Sequence, residues 1–123
     1  MEHKRILILD GDPAFRDEVA RALTERGFSV RATGSAEQAV ALLPEGSFVC
    51  ALVDVELEDM PGLEAVPLLR KTVPGIRVIV TARENNKQQE AQVRESRALY
   101  YYVKNFDRLE LFQAITAALR GGK

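Results

Sequence analysis

The sequence predicts an α/β protein in which helices cover both faces of one parallel sheet. Five short apolar runs recur along the 123 residues, and a helix-compatible segment follows each of them. This alternation is typical of βα units and a parallel sheet. The length suits one domain with a real core, and 46% hydrophobic with 28% charged residues is ordinary for such a domain. We assign residues 1–120 to this domain and residues 121–123 to a tail or the start of a linker.

Composition also limits where the chain works and what it binds. A net charge of −1 gives no electrostatic reason for binding nucleic acid or a membrane surface. No apolar run approaches the roughly 20 residues of a membrane span, and the N-terminus does not resemble a signal peptide. We therefore expect a cytoplasmic domain that binds neither membranes nor nucleic acid directly. Cys50 is expected to be a buried thiol, and His3, the only histidine, has no expected catalytic role.

The sequence predicts five strands and five helices, and local capping signals define the ends of the first two helices. The five predicted strands, in chain order, are residues 5–9, 28–32, 48–54, 77–80 and 99–103. The five predicted helices are residues 13–26, 35–43, 62–73, 84–95 and 108–120. Asp12 is a suitable N-cap before Pro13, and Gly27 is a natural stop for the first helix. Ser35 begins a capping-box sequence that opens the second helix.

The later helices are predicted from their apolar spacing. In the third helix Leu63, Val66, Leu69 and also Leu68 are candidates for the core, and Pro67 is expected to delay or kink the helix. The fourth helix offers only two residues to a core, so we expect it to be loosely held and solvated; these two are Ala91 and Val93. The last helix is expected to bury four residues, Leu109, Phe112, Ile115 and Leu119.

Polar residues stand at four of the predicted strand ends. Asp10 follows the first strand, Asp54 ends the third, and Thr81 and Lys104 follow the fourth and fifth. Open parallel sheets place their chemistry outside the carboxyl ends of the strands, so these four side chains should meet at one edge. Two carboxylates, a hydroxyl and an ammonium can hold a cation and a phosphoryl group there.

The set Asp10, Asp54, Thr81 and Lys104, with Met60-Pro61-Gly62 downstream of Asp54, resembles the receiver domain of two-component response regulators. The resemblance covers essentially the whole chain. It implies a flavodoxin-like, three-layer α/β/α sandwich with a five-stranded parallel sheet of order 2-1-3-4-5. It also implies a signalling switch rather than an enzyme.

The resemblance implies a role for each residue of the site. Asp54 would accept a phosphoryl group from a sensor histidine kinase or another phosphodonor, and Thr81 and Lys104 would contact the phosphoryl oxygens. Mg²⁺ would be held by Asp10, by Asp54 and by Glu56 through its backbone carbonyl or its side chain.

The resemblance further implies how the signal leaves the domain. Thr81 and Tyr101 would form the switch pair, with Tyr101 on the face of the fifth strand opposite to Tyr100 and Tyr102. An output domain or a second copy of the chain would bind through the fourth helix, the fifth strand and the fifth helix.

Two departures from the family pattern bear on the chemistry. Gly11 stands where a second acid usually contacts the metal; the freedom of glycine would permit an unusual turn that lets Asp12 reach in as a replacement ligand. Asn105 stands where a proline with a cis bond usually follows Lys104. Without proline the cis form costs ~2.5–4 kcal/mol, so we expect it to be lost and Lys104 to be misdirected. Weakened Mg²⁺ binding is therefore expected.

These departures leave two other functions open. The first is a pseudo-receiver, a protein-interaction module that works without phosphorylation. The second is a flavodoxin-like cofactor binder or a phosphatase. The sequence disfavours this last class, because no glycine-rich loop follows the first strand and Pro13 removes a backbone donor there.

Overall fold

The computed structural model describes residues 4–120, so His3 and the predicted tail at 121–123 lie outside the described part. The strands are β1 Arg5–Leu9, β2 Ser29–Thr33, β3 Phe48–Asp54, β4 Arg77–Ala82 and β5 Tyr100–Val103. The helices are α1 Pro13–Glu25, α2 Ala36–Leu42, α3 Gly62–Thr72, α4 Lys87–Glu95 and α5 Arg108–Arg120. A short 3₁₀ turn, Leu43–Glu45, follows α2.

The five strands form one parallel sheet in the order β2-β1-β3-β4-β5. This confirms the predicted fold class and strand order. Asp54, the last residue of β3, is directly opposite Thr81 on β4. The crossovers therefore bring the polar ends of neighbouring strands to one edge, where the candidate site lies.

Alternating strand residues form two separate cores, one on each face of the sheet. On one face Ile6, Ile8 and Leu52 pack with α1 and α5. On the other face Leu7 and Val53 pack with α2, α3 and the single buried residue of α4. The three-layer arrangement is thus confirmed. Cys50 is fully buried in the first core, and burial raises the pKa of its thiol to about 12.

The predicted helix caps are confirmed. The Asp12 carboxylate accepts a hydrogen bond from the Ala14 amide at 3.1 Å, and Ser35 accepts from the Gln38 amide at 3.1 Å. Gly27 has a φ of +90°, which is a favourable backbone conformation for glycine and closes α1. These local contacts explain why α1 and α2 begin within a residue of their predicted starts.

Parts of the predicted helix faces are wrong. Leu109 is 55% exposed and Leu68 is 40% exposed, while Phe112 is only half-buried. The buried stripe of α5 runs through Leu111 and Ile115, and a residue two positions from Leu111 lies on nearly the opposite side of a helix. In α4 Val93 is buried and Ala91 is half-buried.

Pro67 does not delay α3, which begins at Gly62 and includes the proline in its interior. The buried residues on this helix are Gly62, Ala65, Val66 and Leu69. They share one stripe, and Leu68 lies about 100° away from its neighbour Leu69. The small residues that complete this stripe were not recognised as core positions in the sequence.

Candidate functional site

Three charged side chains meet at the carboxyl edge of the sheet. The Lys104 ammonium is 2.9 Å from the Asp54 carboxylate and 3.0 Å from the Asp10 carboxylate. Asp10 and Asp54 are 1% and 5% exposed. Buried carboxylates are stable only when paired or hydrogen-bonded, so one ammonium holding both is the central feature of this pocket.

The carboxyl group of Asp10 has a strongly raised pKa in this pocket. Burial raises the pKa of Asp10 to about 7, and hydrogen bonding and charge repulsion from Asp54 act in the same direction. The Asp12 amide, which donates to Asp10 at 2.9 Å, and the Lys104 ammonium lower this pKa. The Asp10 carboxyl therefore binds a proton at a higher pH than an ordinary aspartate, and the Lys104 ammonium contacts both carboxylates.

The Thr81 hydroxyl completes the polar lining of this edge. Thr81 is fully buried and stands opposite Asp54 in the register of β3 and β4. Within the described residues its hydroxyl has no hydrogen-bond partner. A buried hydroxyl without a partner is costly and uncommon, which makes Thr81 a candidate hydrogen-bond donor to a group bound at Asp54.

The open mouth of the site is a pocket of about 350 Å³ beside Asp54. Its walls include Gly11, Asp12, Glu56 and the exposed Arg83. The Glu56 amide donates to Asp54 at 3.2 Å, and the Glu56 carbonyl oxygen is 3.1 Å from the position that a side-chain Cβ on Gly11 would occupy. The carbonyl of Glu56 thus faces the position where the family usually has its second acid.

The donor atoms of the pocket fit Mg²⁺, which is usually bound by one or two carboxylates together with waters and phosphate oxygens. Asp10, Asp54 and the Glu56 carbonyl supply such a set. No group of three or more His, Cys, Asp or Glu side chains in residues 4–120 is placed to hold a metal ion. The candidate protein ligands are therefore limited to two carboxylates and one backbone carbonyl.

The backbone turn that was expected to bring Asp12 to the metal site as a replacement ligand is not formed. Gly11 has no positive φ, so the predicted unusual turn is wrong. The Asp12 side chain lines the pocket, but one of its oxygens accepts from the Ala14 amide as the cap of α1. A metal-binding role for Asp12 remains a prediction.

The peptide bond between Lys104 and Asn105 is trans, as predicted. The prediction that the Lys104 side chain would point away from Asp54 is wrong. No cis peptide bond occurs in the described chain, and the ammonium nevertheless contacts both carboxylates. Other contacts must therefore direct this side chain into the pocket. Sequence reasoning missed them, because most of these contacts depend on how separate strands and helices meet in the fold.

Tyr101 occupies the predicted face of β5. Its hydroxyl accepts a hydrogen bond from the Gln89 side chain on α4 at 2.7 Å, and its ring is half-buried. Tyr100 and Tyr102 lie on the other face, where Tyr100 donates to Glu110 of α5 at 3.0 Å. The strand alternation is thus confirmed, whereas a switching role for Tyr101 remains a prediction.

Three further side chains support the site and were not identified from the sequence. Arg16 on α1 donates to the Asp10 carbonyl at 2.9 Å. Arg108 at the start of α5 donates to the Lys104 carbonyl at 2.6 Å. Asp59, in the loop after β3, accepts from the first two amides of α2 at 2.8 and 3.0 Å. These residues do not belong to a recognisable sequence motif, and their hydrogen-bond partners become evident only in the structure.

The sheet order and the pocket define a class of α/β domains with an acidic site at the carboxyl edge of a parallel sheet. Residues 6–116 match the family model described as the response regulator receiver domain. The chain therefore belongs to the response regulator receiver domain family.

Individual relatives agree with this assignment. The DNA-binding transcriptional regulator NtrC of Azospirillum brasilense is 32% identical over 119 residues, which are 97% of this chain and 25% of NtrC. This chain therefore spans about a quarter of that relative's length. A CheY-like receiver domain structure from Methanospirillum hungatei is 28% identical, with a TM-score of 0.88 over 98% of this chain and 96% of that one.

A third relative has a ligand-bound structure. The response regulator TrrA of Thermotoga maritima, determined in complex with Mg²⁺ and BeF, has a TM-score of 0.80. It covers 94% of this chain and 98% of TrrA at 24% identity, and it supports the fold alone. No helix among residues 4–120 is long and apolar enough to cross a membrane.

Proposed function

We propose that Asp54 accepts a phosphoryl group and that this receiver domain acts as a phosphorylation-controlled signalling switch rather than as an enzyme. The observation that carries the proposal is the buried Thr81 hydroxyl opposite Asp54, which has no hydrogen-bond partner among residues 4–120. A hydroxyl donor opposite Asp54, together with an ammonium 2.9 Å from that carboxylate, suits the binding of phosphoryl oxygens on Asp54.

In the proposed reaction an Asp54 oxygen attacks the phosphorus of a sensor histidine kinase phosphohistidine or of a small acyl phosphate. The new O–P bond forms as the bond from phosphorus to the donor breaks, and the donor leaves with its electron pair. Transfer of this kind depends on positioning and on neutralising the phosphoryl oxygens. Lys104 supplies a positive charge and Thr81 a hydrogen bond at those oxygens.

Mg²⁺ is the cofactor of this proposal, with Asp10, Asp54 and the Glu56 carbonyl as its protein ligands. When bound, it neutralises negative charge on the phosphoryl oxygens. Because Gly11 supplies no carboxylate, direct protein charge at the metal is lower than with a second acid, and weak binding is expected. Asp12 and the Glu56 side chain are further candidates at the rim.

The output of the switch would pass through Thr81 and Tyr101. Movement of the Thr81 hydroxyl toward a phosphoryl group frees space behind it, and the Tyr101 ring would follow. The Tyr101 contact with Gln89 links this movement to α4. The expected partners, an output domain or a second copy, would read the surface of α4, β5 and α5, and the domain would work in the cytoplasm.

The test is intact-mass analysis after incubation with Mg²⁺ and acetyl phosphate, with Asp54→Asn as the matched control. We expect a gain of one phosphoryl group that requires Mg²⁺ and is absent in the control. No gain and no Mg²⁺ binding would instead support the phosphorylation-independent interaction module, which Gly11 favours. Bound flavin or hydrolytic turnover would support the third class.

A further inference from the structure

A second set of contacts involves the backbone of Lys104 and the start of α5. Arg108, the first residue of α5, donates through Nη1 to the Lys104 carbonyl at 2.6 Å and to the Tyr102 hydroxyl at 3.0 Å. Its Nε and Nη2 donate to Glu18 on α1 at 2.8 and 3.2 Å. One guanidinium therefore joins α1, β5 and the residue whose ammonium contacts Asp54.

The Phe15 ring contacts the ammonium of the same lysine. The Lys104 ammonium is 4.5 Å from the centroid of this ring, and the Arg108 guanidinium carbon is 4.8 Å from it. Phe15 is buried among the residues that pack α1 against the sheet. Attraction to the ring and to Asp10 and Asp54 holds the ammonium in one place.

The backbone that carries Lys104 is held at several points. The Lys104 amide donates to the Ala82 carbonyl at 2.8 Å, and the Tyr102 hydroxyl donates to the Phe106 carbonyl at 2.5 Å. Tyr102 is fully buried. Arg108 binds both the Tyr102 hydroxyl and the Lys104 carbonyl, so it links the peptide group after Lys104 to a fully buried side chain of β5.

We propose that Arg108 is a positioning residue for phosphoryl transfer: it fixes the Lys104 backbone so that the ammonium is directed at Asp54. The inference rests on the proposed function, since it assigns Arg108 a role in the phosphoryl transfer proposed for Asp54. A displacement of about 1 Å at a reacting centre costs up to 10²-fold in rate, so loss of this support is expected to be visible kinetically. Glu18 provides the outer anchor, and its side chain is 53% exposed.

The experiment compares Arg108→Met with wild type in the rate of phosphorylation by acetyl phosphate at fixed Mg²⁺. We expect the Met variant to react about tenfold more slowly. Arg120→Met removes an exposed arginine from the other end of α5 and serves as the matched control, with a rate within twofold of wild type.

A spectroscopic measurement separates positioning from general stability. The side-chain ammonium signal of Lys104 in ¹⁵N NMR should be sharp in wild type and lost or shifted in Arg108→Met, while the melting temperature is measured alongside. A lower melting temperature with an unchanged Lys104 signal and an unchanged rate would show a purely structural role and overturn the proposal.

Two further outcomes keep the proposal testable. If Arg108→Met does not fold, Arg108→Lys decides, because an ammonium cannot reproduce the guanidinium fork; a rate equal to wild type would then overturn the proposal. If wild type itself is not phosphorylated, the proposed function fails, and the Lys104 signal alone tests the positioning. Loss of that signal in the variant would support the positioning even then.

Discussion

Replacing Lys104 with methionine tests the charge balance that defines this pocket. The Lys104 side chain is 10% exposed, and those of Asp54 and Asp10 are 8% and 2% exposed. Methionine fills much of the same volume and can still pack against Phe15, but it carries no charge. The variant therefore leaves two buried carboxylates facing each other without a cation.

The size of the loss follows from the distances. At 2.9 and 3.0 Å each ion pair contributes about 5–6 kcal/mol of attraction for an effective dielectric constant near 20. Desolvation of lysine and repulsion between the carboxylates offset much of this. Removing one partner of a buried pair typically destabilises a protein by about 3–5 kcal/mol, and we expect a loss of that order for Lys104→Met at pH 8.

The loss should depend on pH through Asp10. Burial already raises the pKa of this carboxyl to about 7, and removing the ammonium raises it further. A raised pKa in the folded state favours folding at low pH, and this contribution disappears as the pH rises through the folded value. At pH 5 Asp10 is protonated, so the pocket carries one charge fewer and the variant should lose less stability.

Urea unfolding followed by circular dichroism at pH 5 and pH 8 measures both effects. Lys87→Met, at an exposed position on α4, is the control for loss of an ordinary lysine. A loss at pH 8 below about 1 kcal/mol, the range of surface ion pairs, would refute the buried-pair reasoning. Equal losses at the two pH values would refute the role given to Asp10.

Three other changes have expected outcomes. Thr81→Val removes a buried hydroxyl without a partner and should raise the free energy of unfolding by about 1 kcal/mol while slowing phosphorylation; a loss in urea unfolding would show a hidden partner. Gly62→Ala would place a Cβ 1.7 Å from the Asp54 carbonyl oxygen and should cost about 3 kcal/mol or more, whereas Gly75→Ala, with nothing within 4 Å, should be nearly neutral by the same assay. Asp59→Ala removes both acceptors at the start of α2 and should lower the melting temperature. The pKa of Asp59 is lowered by these amides, so its stabilising effect is present above the ordinary carboxyl pKa of about 4 and should be lost as the pH falls further, through the lowered value of the folded state.

The strands and the membership of the site could be predicted because both follow from local sequence. Apolar runs that end in polar residues define strands whose ends meet, and this placed Asp54, Thr81 and Lys104 together before the structure was known. Their strand order came from the family resemblance. The face of α5 was harder, since Leu109 and Leu111 are equally apolar and only packing against α1 and the sheet decides between them.

The support of the site could not be predicted in full, because part of it joins residues far apart in the chain. Arg108 and Glu18 are separated by 90 positions, and neither residue type has a preferred partner in sequence. The expected misdirection of Lys104 was wrong because the peptide bond after Lys104 does not by itself set the direction of the side chain. Arg108, only four positions further along the chain, binds the Lys104 carbonyl, and Phe15, which is distant in sequence, contacts the ammonium.

The two faces of the sheet contribute differently to the site. Arg16 of α1 and Arg108 of α5 fix the backbone on either side of the pocket, and both helices pack into the same core. On the other face α4 buries only Val93, and its Gln89 contacts Tyr101. Elements with few buried apolar contacts open at lower free energy than well-packed ones. If Asp54 is phosphorylated as proposed, the phosphoryl group would meet a firmly held lysine, and we expect the resulting structural change to be larger in the lightly packed α4 than in α1 and α5.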